Sequence, residues 1–153
     1  RITDTRKTMP GLRILDKYAV RIGGGCNHRF SLSDGILIKD NHISASGSIT
    51  KAVLAARSNV PHTLKIEVEV ETFEQLDEAL SAKADIIMLD NMTEDDMKKA
   101  VRIVGGRALT EASGNMGEKD LAKVAATGVN LISIGALTHS VKALDISLKF
   151  VII

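Results

Sequence analysis

Short apolar runs rich in β-branched residues recur along this chain at nearly even spacing. They occupy residues 36–38, 64–70, 86–89, 108–109 and 131–134. The residues that mark their ends lie 30, 21, 22 and 23 positions apart, counted between Lys39, Glu69, Asp90, Ala112 and Gly135. Such a spacing accommodates one strand and one helix, which is the connection that parallel strands require. The pattern therefore predicts a parallel sheet whose strands alternate with helices.

Helical periodicity and helix-end signals fill the intervals between these runs. Thr72 and Gln75 form the pattern of a capping box in front of an apolar stripe of helical period. Thr93 precedes a group of acidic residues that suits the first turn of a helix. Gly128 is a stop signal after a helix predicted over residues 118–127, and a further helix is predicted over residues 12–21.

Polar side chains close nearly every predicted strand, which favours a barrel over an open sheet, because barrel active sites assemble at that edge. Eight strand and helix units take about 250 residues. The 153 residues here supply only about six units, if a first strand is placed at residues 2–5. We therefore predict an α/β fold, an incomplete parallel (β/α) barrel similar to a TIM barrel, that forms one domain over residues 1–153.

The composition excludes several classes of protein. Cys26 is the single cysteine, so no internal disulfide forms, and no charge-free apolar run reaches the roughly 18 residues of a membrane span. Lys and Arg number 20 against 19 Asp and Glu, and aromatic residues make up 3% of the chain, which disfavours nucleic-acid binding. We expect a cytoplasmic domain that binds neither nucleic acid nor membrane, with a small anion left open as its ligand.

Cationic residues stand at the ends of two predicted strands and in a glycine-rich loop between them. Arg6 and Lys7 follow the first strand, where a guanidinium fork suits a carboxylate or a phosphate. Three consecutive glycines then precede His28 and Arg29. Lys39 follows an apolar strand and is expected to point into the barrel mouth. Such a lysine binds an anion or forms a Schiff base, and one lysine cannot decide between these chemistries.

Carboxylates close the next two predicted strands. Glu67 and Glu69 alternate with apolar residues, so both face the same side of their strand. Asp90 and Asn91 follow the next apolar run. Neighbouring carboxylates of this kind bind Mg²⁺ or the hydroxyls of a sugar. The alternative for Asp90 or Asn91 is the N-cap of the following helix.

Small residues follow the last two predicted strands. The two loops contain Ser113, Gly114 and Asn115, and then Gly135 and Ala136. Small residues let backbone N–H groups at helix N-termini approach a phosphate, and barrels use this position often. His139 follows near the start of the predicted last helix, where it is either a ligand or a capping or core residue.

Five stretches together resemble one family closely, the nicotinate-nucleotide pyrophosphorylases, also called quinolinate phosphoribosyltransferases. They are DTRKTMPGLRILDKYAVRIGGGCNHRFSLSDGILIKDNHI from residue 4, KIEVEVET from residue 65, ADIIMLDNM from residue 84, EASGN from residue 111 and GVNLISIGALTHSVKALDISLKF from residue 128. The resemblance implies an enzyme of NAD biosynthesis. It would transfer phosphoribose from phosphoribosyl pyrophosphate to quinolinate and decarboxylate the product, yielding nicotinate mononucleotide, CO₂ and pyrophosphate, with Mg²⁺.

The resemblance also implies a role for each matching residue. Quinolinate would be bound by Arg6, His28, Arg29 and Lys39. The phosphoribosyl donor would be faced by Lys7, Glu69, Asp90 and Asn91, with Glu69 and Asp90 at the ribose and Mg²⁺. The catalytic residues would be Lys39, Glu69 and Asp90. The phosphate would be held by Ser113, Gly114, Asn115, Gly135, Ala136 and His139, although Asn115 replaces the glycine more usual in that loop.

Members of this family carry a sandwich-like N-terminal domain, which we expect to be absent from this chain. In family homodimers that region covers the partner's active site and supplies an arginine to quinolinate. We therefore expect the catalytic barrel portion of an enzyme that forms a homodimer or a larger assembly. Two alternatives stay open: a related phosphoribosyltransferase for another acceptor such as nicotinate, and a non-catalytic barrel fragment that binds phosphorylated ligands or a partner subunit.

Overall fold

The computed structural model describes residues 1–151, whose centre is a six-stranded parallel sheet. The strands are β1 (Ile2–Thr3), β2 (Ile36–Ile38), β3 (Ile66–Val70), β4 (Ile86–Asp90), β5 (Leu109–Ser113) and β6 (Leu131–Ser133). Their order across the sheet is β1-β6-β5-β4-β3-β2, so the first two strands of the chain form its two edges and the sheet does not close. The predicted incomplete (β/α) barrel is confirmed.

Helices connect the strands. They are α1 (Arg13–Ile22), α2 (Asp40–Ser46), α3 (Ile49–Asn59), α4 (Phe73–Ser81), α5 (Glu94–Val104), α6 (Leu121–Ala126) and α7 (Ala136–His139). The interval of 30 residues before Glu69 exceeds the others because it contains both α2 and α3. Among residues 1–151, no helix combines the length and the apolar character that crossing a membrane requires.

The capping signals read from the sequence are confirmed at two helices. Thr72 and Gln75 form the predicted reciprocal capping box at the start of α4. The hydroxyl of Thr93 accepts from the N–H of Asp96 and caps α5. The alternative that Asp90 or Asn91 caps this helix is therefore wrong, and both residues are available to the edge of the sheet.

Two predicted helices differ from the structure. Residues 118–127 do not form one helix, because a 3₁₀ turn (Met116–Glu118) ends first and the side chain of Asp120 caps α6 by accepting from two backbone N–H groups. His139 is the last residue of the short α7 and not near the start of a longer helix. Beyond it, residues 141–151 form neither helix nor strand.

The apolar core lies between the sheet and the helices outside it. Ile66, Val68 and Val70 of β3 are completely buried there. Burying a side chain of this size contributes about 1.5–3 kcal/mol relative to leaving it exposed. Because side chains alternate along a strand, Glu67 and Glu69 face the opposite side and line the barrel interior and its mouth. The core thus packs against the outer face of the sheet, whereas the inner face carries carboxylates among apolar residues such as Ile86 and Leu131.

The gap between the edge strands β1 and β2 is partly covered by the segment that follows the glycine run. The backbone N–H of Cys26 donates to the carbonyl of Ile2 in β1 at 2.9 Å, and its carbonyl accepts from the N–H of Asp4 at 3.2 Å. Gly25 lets the same segment pass close to α1, because a Cβ there would lie 2.8 Å from Cγ1 of Val20. The segment is thereby held beside β1, which brings His28 and Arg29 toward the barrel interior.

Candidate active site

A cleft of about 770 Å³ opens at the carboxyl edge of the sheet, and we call it the edge cleft. Every residue that the resemblance assigned to the phosphoribosyl donor lines it: Lys7, Glu69, Asp90, Asn91, Ser113, Gly114, Asn115, Gly135, Ala136 and His139. Lys39 lines the edge cleft as well. These residues are distant in sequence, but parallel strands bring their carboxyl ends to one edge. The structure therefore assembles the predicted set at one place.

The loop after β5 adopts backbone angles that few side chains accept. Gly114 has a φ of +93°, and Asn115 has a φ of +50°. Asparagine tolerates this left-handed region better than most residues, so it can stand where glycine is more usual in the family. A Cβ on Gly114 would lie 2.7 Å from Cγ and 2.8 Å from the backbone nitrogen of Asn91. The loop therefore packs against Asn91 with no room for a side chain at position 114.

Gly114→Ala is expected to displace this loop and to weaken binding of inorganic pyrophosphate at least about tenfold. Gly106→Ala is the matched control, because Gly106 also has a positive φ (+77°) but has no atom within 4 Å of an added Cβ. Calorimetric titration of both variants with pyrophosphate measures the difference. Equal affinities in the two variants would contradict the phosphate-binding role that the resemblance implies for this loop.

The loop after β6 lies against His139. A Cβ on Gly135 would lie 2.9 Å from Nε2 of that imidazole, so the ring packs directly on the glycine. The Nδ1 atom of His139 is 2.7 Å from the hydroxyl oxygen of Ser140. His139 is exposed at the edge cleft, so the alternative that it is a core histidine is wrong.

Lys39 and Glu69 form an ion pair at the junction of β2 and β3. The Nζ atom of Lys39 donates to Oε2 of Glu69, and the two side chains are 45% and 14% exposed. A lysine side chain has three N–H donors, so Lys39 keeps donors for a ligand beside its bond to Glu69. At the neighbouring strand end, Oδ2 of Asp90 accepts a hydrogen bond of 2.7 Å from the amide of Asn91.

A second cavity, of about 480 Å³, lies beside β2, and we call it the cation pocket because Arg6, Arg29 and Lys39 line it. The Nε atoms of Arg6 and Arg29 are buried and have no hydrogen-bond partner among the described residues. Burial lowers the pKa of Arg29, although a guanidinium stays protonated in proteins. Leaving a buried donor unpaired costs about 1–3 kcal/mol. The cation pocket is therefore suited to an anion with several acceptor oxygens.

His28 lies in the barrel interior and does not line the cation pocket. It lines an interior cavity of about 430 Å³ together with Glu67 and Glu111, whereas Arg29 lines both cavities. The Nε2 atom of His28 lies 3.0 Å from Oε2 of Glu67 and 3.8 Å from Oε1 of Glu111. Burial opposes protonation of His28, but the hydrogen bond to Glu67 and the two carboxylate charges outweigh burial and raise its pKa.

Glu67 and Glu111 are only 3% and 1% exposed, and one oxygen of each has no hydrogen-bond partner among residues 1–151. Burial, followed by the charge of Glu67, raises the pKa of Glu111 to about 7. Sequence reasoning gave Glu111 no role. The signal that identifies it is the period-two alternation with Ser113, which puts both side chains on the inner face of β5.

A buried ion pair fixes the segment that carries His28 and Arg29. The Nζ atom of Lys17 donates to Oδ1 of Asp4 at 2.6 Å and to the carbonyl of His28 at 3.0 Å. The same Oδ1 accepts from the backbone N–H of His28 at 2.7 Å, and Oδ2 accepts from the side chain of Asn27 at 2.7 Å. The sequence indicated no role for this pair, because helical periodicity does not reveal that Lys17 reaches back to β1.

The edge cleft is also lined by polar side chains that sequence reasoning did not single out: Thr5, Glu118, Ser133, Ser140 and Lys142. Ser133 could have been found from strand alternation, since it stands between Ile132 and Ile134, whereas Thr5 stands between two charged residues and no alternation reveals it. Lys142 lies beyond the last helix, where no periodicity predicts the direction of a side chain.

Known proteins match this chain closely. Residues 1–149 match the family described as quinolinate phosphoribosyl transferase, C-terminal domain. A probable nicotinate-nucleotide pyrophosphorylase (carboxylating) from Bacillus subtilis is 56% identical, over 97% of this chain and 51% of that protein. NadC from Streptococcus pyogenes has a TM-score of 0.89 at 47% identity, over 98% of this chain and 53% of that one. The nicotinate-nucleotide pyrophosphorylase from Francisella tularensis has a TM-score of 0.91 at 48% identity, over 95% and 51%.

The family match covers this chain almost completely. It contains every residue of the cation pocket, the interior cavity and the edge cleft. The chain spans about half the length of the curated relatives that it matches. Both the fold and the sequence thus lead to one conclusion: this chain belongs to the quinolinate phosphoribosyltransferase family, and it corresponds to the C-terminal domain of that family.

Proposed function

We propose that this chain carries the catalytic site of a phosphoribosyltransferase that converts quinolinate and phosphoribosyl pyrophosphate to nicotinate mononucleotide, CO₂ and pyrophosphate. The supporting observation is the position of Lys39, which lines both the cation pocket and the edge cleft. A group shared by the two cavities can contact both substrates where the new bond forms. The proposal concerns the activity of a whole family member, because this chain spans about half the length of the curated relatives that it matches.

The cation pocket would take quinolinate. The two adjacent carboxylates of quinolinate carry four acceptor oxygens on one planar ring, and Arg6, Arg29 and Lys39 offer matching hydrogen-bond donors. A guanidinium pairs with a carboxylate through two parallel hydrogen bonds, which fixes the orientation of the ring as well as binding it. The buried, unpaired Nε atoms of Arg6 and Arg29 would gain acceptors from the substrate. Nicotinate has a single carboxylate and would leave part of this donor set unused.

The edge cleft would take the phosphoribosyl donor. Lys7, His139 and the small-residue loops after β5 and β6 line the side that would hold phosphate groups. Glu69 and Asp90 lie at the ends of the neighbouring strands β3 and β4, and Glu69 is paired with Lys39 of the cation pocket, so these carboxylates suit the ribose hydroxyls. This division of charge would orient the donor with its ribose toward the acceptor.

The side-chain oxygen atoms of Glu69, Asp90 and Asn91 fit Mg²⁺, which prefers oxygen ligands and keeps several waters. We propose that Glu69 and Asp90 bind the ion together with the phosphoribosyl donor. When bound, Mg²⁺ would neutralise charge on the pyrophosphate as it leaves.

The residues of this chain would then contribute mainly position and charge. The bond between ribose C1 and pyrophosphate breaks, and the pyridine nitrogen of quinolinate forms the new bond to C1. The carboxylate of Glu69 would stabilise the positive charge that develops on the ribose. Lys39 and the arginines would hold the ring so that its nitrogen faces C1. The carboxylate next to that nitrogen then leaves as CO₂, its bonding electrons pass to the ring, and a proton takes its place.

Arg29→Lys is expected to weaken quinolinate binding by the full-length protein at least about tenfold, because lysine keeps the charge but loses the planar fork. Arg21→Lys, on the exposed end of α1, is the matched control, and calorimetric titration with quinolinate measures both variants.

Calorimetric titration with quinolinate and with nicotinate tests the choice of acceptor. The unsubstituted protein should bind quinolinate at least about tenfold more tightly than nicotinate. Equal affinity for the two acids would overturn the choice of quinolinate and favour a transferase for another acceptor.

We also propose that the enzyme acts in the cytoplasm as a homodimer or a larger assembly. Support for an assembly comes from α1, on which Ile14, Leu15 and Ile22 expose large apolar side chains. Sedimentation analysis of the full-length protein measures its oligomeric state, and a monomer at micromolar concentration would contradict this part of the proposal.

A further inference from the structure

Arg13 is the first residue of α1, and its guanidinium joins the two segments that carry the arginines of the cation pocket. Its Nη2 atom donates to the carbonyl of Arg6 at 3.1 Å, and its Nη1 atom donates to the carbonyl of Phe30 at 3.2 Å. Its Nε atom donates to the hydroxyl of Thr8 at 3.0 Å. One planar group thus connects the segment after β1 to the residue that follows Arg29.

The direction of this side chain follows from its place at the start of a helix. A helical side chain points toward the N-terminus of its own helix, so Arg13 reaches back over the segment that precedes α1. Asp16, on the same turn of α1, accepts from the backbone N–H of Met9 at 2.9 Å. The segment between β1 and α1 is therefore folded back against the first turn of α1 and bound there by two side chains.

The acceptors of the Arg13 guanidinium are all neutral oxygens. None of the ion pairs formed within residues 1–151 includes Arg13, and it lines neither the cation pocket nor the edge cleft. Because the guanidinium fork is planar and rigid, it fixes the distance between the two carbonyls that it bridges, which a flexible ammonium does not. Arg13 therefore has the geometry of a group that spaces two backbone segments.

The two arginines of the cation pocket need such support, because their like charges repel. Burial and, to a smaller degree, the charge of Arg6 lower the pKa of Arg29. Neither arginine has a carboxylate within ion-pair distance in the part of the chain that the structure describes. Their separation therefore depends on neutral contacts, such as the 3.1 Å hydrogen bond from Nη1 of Arg29 to the carbonyl of Gly35, and on how their backbones are held.

The backbone of Arg29 is held from both sides. The buried ion pair described above binds the N–H and the carbonyl of His28, the residue before it. The residue after it, Phe30, is bound at its N–H by Oδ2 of Asp34, at 2.9 Å, and at its carbonyl by Arg13. The contact with Arg13 also fixes this segment relative to Arg6.

We propose that Arg13 is a positioning residue, whose guanidinium sets the spacing of Arg6 and Arg29 and thereby the preference of the cation pocket for a ligand with two adjacent carboxylates. The inference rests on the proposed function, because it takes these two arginines as the ligands of quinolinate. Arg13 itself would touch neither substrate. A monocarboxylate such as nicotinate needs only one of the two guanidinium groups, so its binding should depend far less on their spacing.

Arg13→Lys in the full-length enzyme keeps the charge and removes the planar fork. We expect the Kd of quinolinate, measured by calorimetric titration, to rise at least about tenfold, while the Kd of nicotinate changes less than about threefold. Arg13→Gln removes the charge as well and should change both values to the same degree. Arg107→Lys is the matched control and should change neither, because the Arg107 guanidinium also donates to two backbone carbonyls, but just before β5. General damage to the fold would weaken binding of both acids together, so the ratio of the two Kd values separates it from lost spacing.

Amide hydrogen exchange provides a readout that needs no substrate. Loss of the fork in Arg13→Lys should raise the exchange rates of residues 6–8 and 28–31 at least about fivefold, whereas α5 should keep its rates. Thr8→Val removes the acceptor of Nε and leaves the Arg13 guanidinium in place. It should shift the exchange rates and the Kd of quinolinate in the same direction by about twofold to threefold, and it tests the proposal even if the Arg13 variants do not fold.

Three results would overturn the proposal. One is a loss of quinolinate affinity in Arg13→Gln that Arg13→Lys does not share, which would mean that the charge of Arg13 acts on the pocket and its fork does not. Another is an equal loss of affinity for quinolinate and nicotinate in Arg13→Lys. The third is unchanged hydrogen exchange in residues 6–8 and 28–31. Failure of the original protein to bind quinolinate would instead reject the proposed function, and hydrogen exchange would still decide whether Arg13 fixes the two segments.

Discussion

Replacing Asp4 with alanine is expected to lower the free energy of unfolding by about 3–5 kcal/mol. Asp4 is completely buried and Lys17 is 4% exposed, so the substitution leaves an ammonium in the interior without its counter-ion. It also removes the acceptor for the backbone N–H of His28 and for the amide of Asn27. For a chain of this length the loss corresponds to a fall in Tm of roughly 6–20 °C.

Urea unfolding followed by circular dichroism measures the effect. Asp95→Ala is the matched control, because Asp95 pairs with Lys98 but its side chain is 94% exposed, and it should change the midpoint little. Asp4→Asn should fall between the two, because it removes the charge and keeps a side chain of the same shape. An Asp4→Ala midpoint equal to that of Asp95→Ala would contradict the view that this pair holds the segment of His28 and Arg29.

Replacing Glu69 with alanine is expected to lower kcat of the full-length enzyme at least tenfold, which corresponds to about 1.4 kcal/mol of lost transition-state stabilisation. The carboxylate would lie beside the ribose, where positive charge develops as pyrophosphate leaves. The substitution also frees Lys39 from its ion pair. The KM for quinolinate should therefore not rise, so the loss should appear in kcat. Lys39→Ala should also lower kcat at least about tenfold but should raise the KM for quinolinate.

Steady-state kinetics with each substrate varied in turn separates these effects. Glu71→Ala is the control, because Glu71 stands two residues further along and is exposed beyond the end of β3. If Glu69→Ala and Lys39→Ala both keep the original kcat and KM, neither residue belongs to the site proposed for them.

The repeat of strands and helices was readable from the sequence because each unit repeats the same two physical periods. Strands such as Ile86–Asp90 are short apolar runs, and caps such as Thr72 and Thr93 are local hydrogen bonds between residues three apart. The helix around residues 118–127 was wrong because Asp120 competes as a cap inside it, and such competition is not visible in apolar periodicity. Local signals thus predict elements better than their boundaries.

The edge cleft was also predictable, since parallel strands place Glu69, Asp90 and Ser113 at one edge. The interior was not. Whether His28 faces the cation pocket or the interior cavity depends on how the segment after the glycine run lies in the gap between β1 and β2. That position is set by the long-range pair of Asp4 and Lys17, which no local pattern announces.

Formation of nicotinate mononucleotide from quinolinate, phosphoribosyl pyrophosphate and Mg²⁺ is the most direct test of the proposed function. The purified chain is assayed with and without the N-terminal part of a family member, and CO₂ release is followed in parallel. We expect nicotinate mononucleotide and CO₂ in equal amounts, only when both substrates are present, and formation of both products at least about tenfold slower in Lys39→Ala. A folded chain that binds neither substrate, or that uses nicotinate and not quinolinate, would contradict the proposed function.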